Sequence, residues 1–333
     1  MTKIAIDMMG SDNGPAVLCE AVRKYILEHE DVSFLLFGVE ETLKKEFDSF
    51  EKKDRVEIRA TTSVIPMEIK PLDFLRSKTS SMYQAILAVK SKEADAVLSA
   101  GSTGGFLTGA TILLRNIPGI QRAGLCTPFP TAVEGKGTVI LDVGANNKNT
   151  GEDLYQFALM GRIYAEKVLA MKNPSVYTLS NGTEEGKGAE EVVEAYHLLQ
   201  ERNFPGFSGN VEARNALDGT HDIIVTSGFA GNIFLKATEG MASMMNGMIK
   251  ASFKRNLLTK IGYLFSSKGF KKMKETMNYK RFGGAILLGV DGITVKAHGN
   301  SDAYAFYQAI ALSENMVKAD IVNAIKKEIE VKE

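Results

Sequence analysis

Short unbroken apolar runs alternate along the chain with longer stretches whose apolar residues recur every three or four positions, the signature of buried strands followed by amphipathic helices. Ile4-Ala-Ile6 predicts the first strand, and Pro15 opens a helix through Ile26 with Ala16, Val17, Ala21 and Val22 on one face. Val32–Phe37 and Val56–Ala60 predict two more strands, with a charged helix from Glu41 to Phe50 between them. The proline-bounded stretch 66–78 reads as a loop over the strand ends, and Ser80/Ser81 start a helix through Lys90. Ala96-Val-Leu98 is a strand feeding a Gly/Ser/Thr turn, and Phe106 to Arg115 continues as an apolar helix.

Further on, Ala123–Cys126 predicts a short strand, Pro128-Phe-Pro130 an extended turn and Thr138–Leu141 a buried strand. Glu152–Met171 is a long helix, Ser175–Leu179 a strand and Ala189–Gln200 a helix. Asp222–Val225 is the next strand, with a helix over Ile233–Ile249. Gly283–Leu288 and Ile293–Lys296 read as a hairpin, and His298-Gly-Asn-Ser301 opens the C-terminal helix. The alternation predicts an α/β three-layer αβα sandwich with a mixed, mostly parallel sheet, built as a single two-lobed domain over 1–333.

The polar residues that interrupt this pattern gather in strand-end loops of small side chains and amides: 101–105, 142–147, 181–188 and 227–232. A strand that turns tightly into a helix presents free N–H groups at the positive end of the helix dipole, where phosphate is well held. A tight connection with no ligand is the plainer account of any one such turn. Convergence of the loops would give a phosphate-sized cavity with N–H donors, Asn side chains and one mobile cation, Lys187.

Composition narrows the classes. Forty basic and forty acidic residues cancel, which argues against a nucleic-acid partner. Cys19 and Cys126 lack metal-type spacing and read as reduced structural thiols. No signal peptide precedes the first strand and no apolar run is of membrane-spanning length. No Gly-x-Gly-x-x-Gly follows the first strand, Gly182–Gly188 is one residue short of a P-loop, and neither His-Glu-x-x-His nor Gly-x-Ser-x-Gly occurs. A covalent Ser or Cys mechanism therefore has no support, and no cofactor or metal is expected.

The loops lie in longer matching stretches: Ile6–Asp12, Ser99–Gly104, Leu141–Asn146, Gly182–Gly188, Gly228–Asn232 with Leu235-Lys236, Gly283–Ala285 with Leu288-Gly289, and His298-Gly299. Together they resemble the bacterial acyl-acyl-carrier-protein:phosphate acyltransferase family (PlsX) over nearly the whole chain. The resemblance implies transfer of a long-chain acyl group from acyl carrier protein to inorganic phosphate, giving an acyl-phosphate for phospholipid synthesis. It implies a fold like the isocitrate and isopropylmalate dehydrogenases and phosphotransacetylases, and a homodimer that hands its product to an acyl-phosphate:glycerol-3-phosphate acyltransferase. The family's catalytic lysine and asparagine fall on Lys187 and Asn232. Gly101, Ser102, Thr103, Gly104, Asp142, Gly144, Asn146, Gly228 and Gly231 are expected to bind phosphate, with Asp7 and His298 in support. Ser102, Thr226-Ser227 and Ser180-Asn181 depart from the family pattern, so only backbone roles carry over there.

Two rivals share the fold: a phosphotransacetylase using acyl-CoA, and a metal-dependent dehydrogenase, which would need more clustered aspartates than Asp7 and Asp12. The segment 250–281 holds ten Lys/Arg against one acid, a net +9, while the remaining 30 basic and 39 acidic residues carry −9. Phe253, Leu257, Leu258, Ile261, Leu264 and Phe265 recur there at near-helical spacing. That pattern reads as a helix lying on an anionic membrane, which gives a cytoplasmic protein peripherally bound to the inner face of the cell membrane. A helix packed on its own core or a second subunit, one docking acyl carrier protein, or a non-enzymatic membrane scaffold are the alternatives.

Overall fold

The computed structural model describes residues 1–276 and 279–330, so two positions of the basic segment, 277 and 278, lie outside the described residues. In chain order the elements are β1 (Thr2–Asp7), α1 (Pro15–Glu28), β2 (Val32–Gly38), α2 (Glu40–Phe47), β3 (Val56–Ala60), α3 (Pro71–Arg76), α4 (Ser81–Lys90), β4 (Ala96–Ser99), α5 (Thr103–Leu114), β5 (Gly124–Pro130) and β6 (Gly137–Leu141). They continue with α6 (Gly151–Lys167), β7 (Val176–Ser180), α7 (Glu190–Glu201), β8 (Phe207–Glu212), β9 (Ile223–Val225), α8 (Gly228–Lys254), α9 (Leu257–Thr276), β10 (Ala285–Leu288), β11 (Ile293–Lys296), α10 (Ala303–Lys318) and α11 (Ile321–Glu330).

The chain divides into two compact units. Unit 1 comprises 1–127, 159–172 and the segment from 280 onward; unit 2 comprises 128–158 and 173–279. In unit 1 the strands run β3-β2-β1-β4-β11-β10-β5. The first five are mutually parallel, while β10 is antiparallel to both of its neighbours. Unit 2 has the parallel order β6-β9-β7-β8. Successive residues of a strand face opposite sides of a sheet, so the complete burial of Ile4, Ala5 and Ile6 means that both faces are covered. Helix pairs α4 with α5 and α1 with α10 supply the cover in unit 1. The expected α/β class with a mixed, mostly parallel sheet is what forms.

Local signals account for five of the helix starts. Pro15 and Pro71 occupy the first turns of α1 and α3, where a missing N–H costs nothing. Ser80, Ser102 and Asp302 cap α4, α5 and α10 by accepting from the N–H groups of Tyr83, Gly105 and Ala305.

Four expectations change. The stretch 66–78 contains helix α3, whose Phe74 is buried against α5 at Gly109. Pro128-Phe-Pro130 is the end of β5, beyond the residues 124–126 that pair with β10. Strand β8 forms where the sequence pattern predicts no element. Helix α8 begins at Gly228 rather than Ile233, which puts Asn232 inside a helix.

Candidate active site

In unit 1, Asp7, Ser99 and Lys296 end three adjacent parallel strands and sit side by side in register. The buried Asp7 carboxylate accepts from Ser81 Oγ at 2.6 Å, Ser99 Oγ at 2.7 Å and the Met9 N–H at 3.2 Å. Burial nevertheless leaves its pKa above the ordinary aspartate value. Ser99 Oγ in turn accepts the Gly101 N–H at 3.0 Å. Lys296 is only 6% exposed, and its ammonium donates to the Ala297 carbonyl. Burial pulls its pKa down to about 8, against the attraction of Asp7 and Asp12.

The 8–14 loop closes over this edge. A Cβ on Gly10 would lie 2.5 Å from Gly101 Cα, so the two glycines allow backbone to touch backbone. The Asp12 N–H donates to Gly299 O at 2.9 Å and Asn13 Nδ2 to Ser301 O at 3.0 Å. The structure thus brings together Asp7, the 99–104 turn and the loop carrying His298.

Of the donors expected in the 101–104 turn, Gly101 N–H is engaged with Ser99. The Ser102 hydroxyl donates to Met67 O at 2.7 Å while capping α5. Thr103 and Gly104, the first two residues of α5, are exposed, and their N–H groups have no acceptor among the described residues. Gly104 has open space where a Cβ would stand, so the fold does not demand glycine there.

In unit 2 the buried Asp142 carboxylate organises its own loop. Oδ1 accepts the N–H groups of Gly144 and Ala145 at 2.9 and 2.8 Å; Oδ2 accepts the Asn146 N–H and Nδ2 at 2.9 and 2.8 Å. The N–H groups of Gly144 and Asn146 are therefore turned inward on an anion the chain supplies. Helix α8 is pressed against this loop: a Cβ on Gly231 would lie 1.9 Å from Asp142 O, and one on Gly228 2.2 Å from Asn146 O. Only glycine is small enough at these two contacts, which accounts for the two glycines in the first turn of α8. The Gly228 N–H donates to Asn149 Oδ1 at 3.0 Å and the Gly231 N–H to Ser227 O at 2.9 Å.

The first turn of α8 leaves the Phe229 and Ala230 N–H groups without acceptors among the described residues. Asn232, on the same turn, is exposed beside Gly144, whose Cβ position is 3.2 Å from Asn232 Oδ1. Lys187 stands in the 181–188 turn, exposed and with no acidic partner among the described residues. Its N–H donates to Glu184 O at 3.1 Å.

Each unit therefore offers a helix start with two free N–H groups and a partial positive charge. The sequence reading missed Lys296, Ser81 and Asn149. Lys296 closes an apolar run and reads as a strand end. Nothing in the sequence brings Ser81 to Asp7, 74 positions away, or Asn149 to Gly228, 79 positions away.

Lys296 has a pH signature. Between about 8 and 10.5 the unfolded chain holds the Lys296 proton more tightly than the folded chain does, so this group makes unfolding free energy rise with pH. Lys296→Met flattens that rise in denaturant titrations run across this window; a slope equal to that of the parent contradicts the assignment.

Comparison with known proteins places these features in a family. Residues 2–324 match the family model described as fatty acid synthesis protein. The phosphate acyltransferase of Exiguobacterium sibiricum is 43% identical, with 99% of each chain covered, and that of Fervidobacterium nodosum 40% identical, again with 99% of each covered. Among solved structures, a phosphotransacetylase from Streptococcus pyogenes superposes with a TM-score of 0.62 at 16% identity, over 95% of this chain and 94% of that one. A branched-chain phosphotransacylase from Enterococcus faecalis gives 0.57 at 13% identity, over 95% and 99%. The two structures share the fold, and the two relatives share the sequence along its whole length: the chain belongs to the phosphate acyltransferase family.

Proposed function

We propose that the protein transfers a long-chain acyl group from the thioester of acyl carrier protein to inorganic phosphate. The observation that carries this reading is the pair of helix starts, on α5 and α8, whose free N–H groups lie in the glycine-rich segments matched by the family resemblance. Phosphate is already a nucleophile, so no serine or cysteine has to be acylated. A phosphate oxygen attacks the thioester carbonyl and forms the new C–O bond. The tetrahedral oxyanion then collapses, the C–S bond breaks and the pantetheine sulfur leaves as thiolate.

The difficulty is electrostatic. A phosphate dianion must approach a carbon whose oxygen is becoming negative, so both anions need donors that hold no negative charge themselves. Lys187, in unit 2, is the cation that offsets phosphate charge; within unit 1, the Thr103 and Gly104 N–H groups on α5 are donors suited to an anion. Asn232, with the Phe229 and Ala230 N–H groups on the same turn of α8, donates to the oxyanion. One well-aimed donor of this kind contributes about 3 kcal/mol to the transition state. Asp142 takes a different part: its carboxylate fills the loop that would otherwise be an anion nest and holds α8 in place.

The tip of the α8–α9 pair supports peripheral membrane binding at the inner face of the cell membrane. Leu257, Leu258, Ile261, Leu264 and Phe265 are all exposed, Phe265 at 87% and Leu258 at 79%. On the following turns of α9, Lys268 and Lys271 are exposed, while the Lys272 ammonium is paired with the Glu134 carboxylate at 2.8 Å. Phe253 does not belong to that stripe: its ring packs 5.2 Å from Tyr263 and 4.8 Å from Phe270, inside the helix pair. No described helix is long and apolar enough to cross a membrane. A second stripe, Met241, Met244, Met245 and Met248 on α8, is exposed at helical spacing and supports a second copy of the chain as partner.

Three outcomes follow. Lys187→Ala and Asn232→Ala each lower the rate of acyl-phosphate and thiol formation by about 100-fold with the fold retained; near-normal rates in both variants remove the mechanism. Gly104→Val raises the phosphate concentration needed for half-maximal rate by about tenfold or more without loss of stability, because the side chain meets only ligand; unchanged phosphate saturation places the anion elsewhere. Leu258→Glu abolishes sedimentation with anionic liposomes and leaves activity on soluble acyl carrier protein intact; a variant that still sediments contradicts membrane docking through this tip.

A further inference from the structure

Lys187 sits in a turn of exposed residues, where a lysine ordinarily samples many positions. Here its placement is constrained from two sides. Strand β8 lies beside β7, and Asn210 of β8 is the register partner of Thr178 of β7; both are buried. The Thr178 hydroxyl donates to Asn210 Oδ1, which fixes the orientation of the amide and turns Nδ2 away. Asn210 Nδ2 then donates to the Glu184 carbonyl at 2.7 Å. That same carbonyl accepts the Lys187 N–H at 3.1 Å. One carbonyl thus joins the buried strand to the residue that carries the ammonium.

The second constraint acts on the side chain. A Cβ on Gly182 would lie 2.9 Å from Lys187 Cγ, 3.3 Å from its Cδ and 2.7 Å from Glu184 Oε2. The aliphatic stem of Lys187 therefore lies across the bare backbone of Gly182. Gly182 has no left-handed backbone angle that would require glycine; it is the stem that needs the space.

We propose that Asn210 and Gly182 are positioning residues for Lys187, Asn210 by anchoring the turn through the Glu184 carbonyl and Gly182 by seating the lysine stem. This rests on the reading of Lys187 as the cation that offsets phosphate charge. Its consequence is specific: disturbing either residue weakens the use of phosphate and leaves the use of the acyl donor unchanged. A misplaced charge costs far more in a site of fixed geometry than in water.

The test is a pair of double-mutant cycles on the full-length protein, with rates measured against inorganic phosphate and against an acyl-acyl-carrier-protein thioester. Asn210→Asp keeps the size and the acceptor for Thr178 but replaces the donor to Glu184 with an acceptor. The expected result is a loss of about tenfold in kcat/KM for phosphate, with KM for the thioester unchanged. In a Lys187→Ala background the same substitution has less than a twofold further effect, since the group it positions is gone. Gly182→Ala gives the same pattern from the other side, and it decides the matter if Asn210→Asp does not fold. An equal loss in both backgrounds, or a loss in both substrates alike, assigns these residues a general structural part and overturns the proposal. Lys187→Ala with near-normal turnover is a separate result: it refutes the catalytic reading of the lysine itself, and the positioning proposal falls with it.

Discussion

The constraint on which the rest depends is that a helix leaves its first N–H groups without partners. Several helix starts in this protein meet part of it from within. Ser80 and Asp302 cap α4 and α10, and Ser102 satisfies the third N–H of α5. What Ser102 leaves over on α5, and what Asn149 leaves over on α8 after binding the Gly228 N–H, are two donors apiece, set where parallel strands end. Ligands of open α/β sheets bind at such carboxyl ends of strands. A phosphate acyltransferase needs uncharged donors there, because its reaction brings two negative charges together.

The carboxylates in these segments take a part different from that of the donors. Asp142 is buried at the centre of the 142–146 loop, accepts three main-chain N–H groups and one amide, and presses against α8 through Gly231. Asp7 ties β1 to α4 and β4 in the same way. Both shape the backbone that carries the donors, and neither offers a hydrogen to an anion. Two lysines of opposite character lie in these segments. Lys296 is buried and held down by desolvation, whereas Lys187 is exposed, with its turn fastened to a buried strand.

Much of this was legible in the sequence. Strands such as Ile4–Ile6 and Val97–Leu98 are buried on both faces and read as unbroken apolar runs. The strand-end loops stood out because glycine, serine and asparagine crowd together there. What escaped did so for physical reasons. Strand β8, Phe-Ser-Gly-Asn-Val-Glu, has a glycine at φ +99° and a register shift in its partner strand, so no apolar alternation marks it. The start of α8 looked like a loop because two glycines precede Asn232, and glycine is a poor helix former. Those glycines are explained by backbone contacts with the 142–146 loop that lies far away in sequence. Lys296 reads as an exposed strand end until its neighbours Asp7 and Ser99 are known. Phe253 fits the helical stripe of its segment by spacing, yet only the turn between α8 and α9 decides that it faces inward.

The central claim is that phosphate itself attacks the thioester and that no residue of the chain is acylated on the way. Intact-protein mass measurement, made on the enzyme mixed with a stoichiometric long-chain acyl-acyl-carrier-protein and no phosphate, tests it most directly. Direct attack gives an unshifted protein mass and no released thiol until phosphate is added, after which thiol and acyl-phosphate form together. A protein heavier by one acyl group, with one equivalent of thiol released before any phosphate is present, would contradict it.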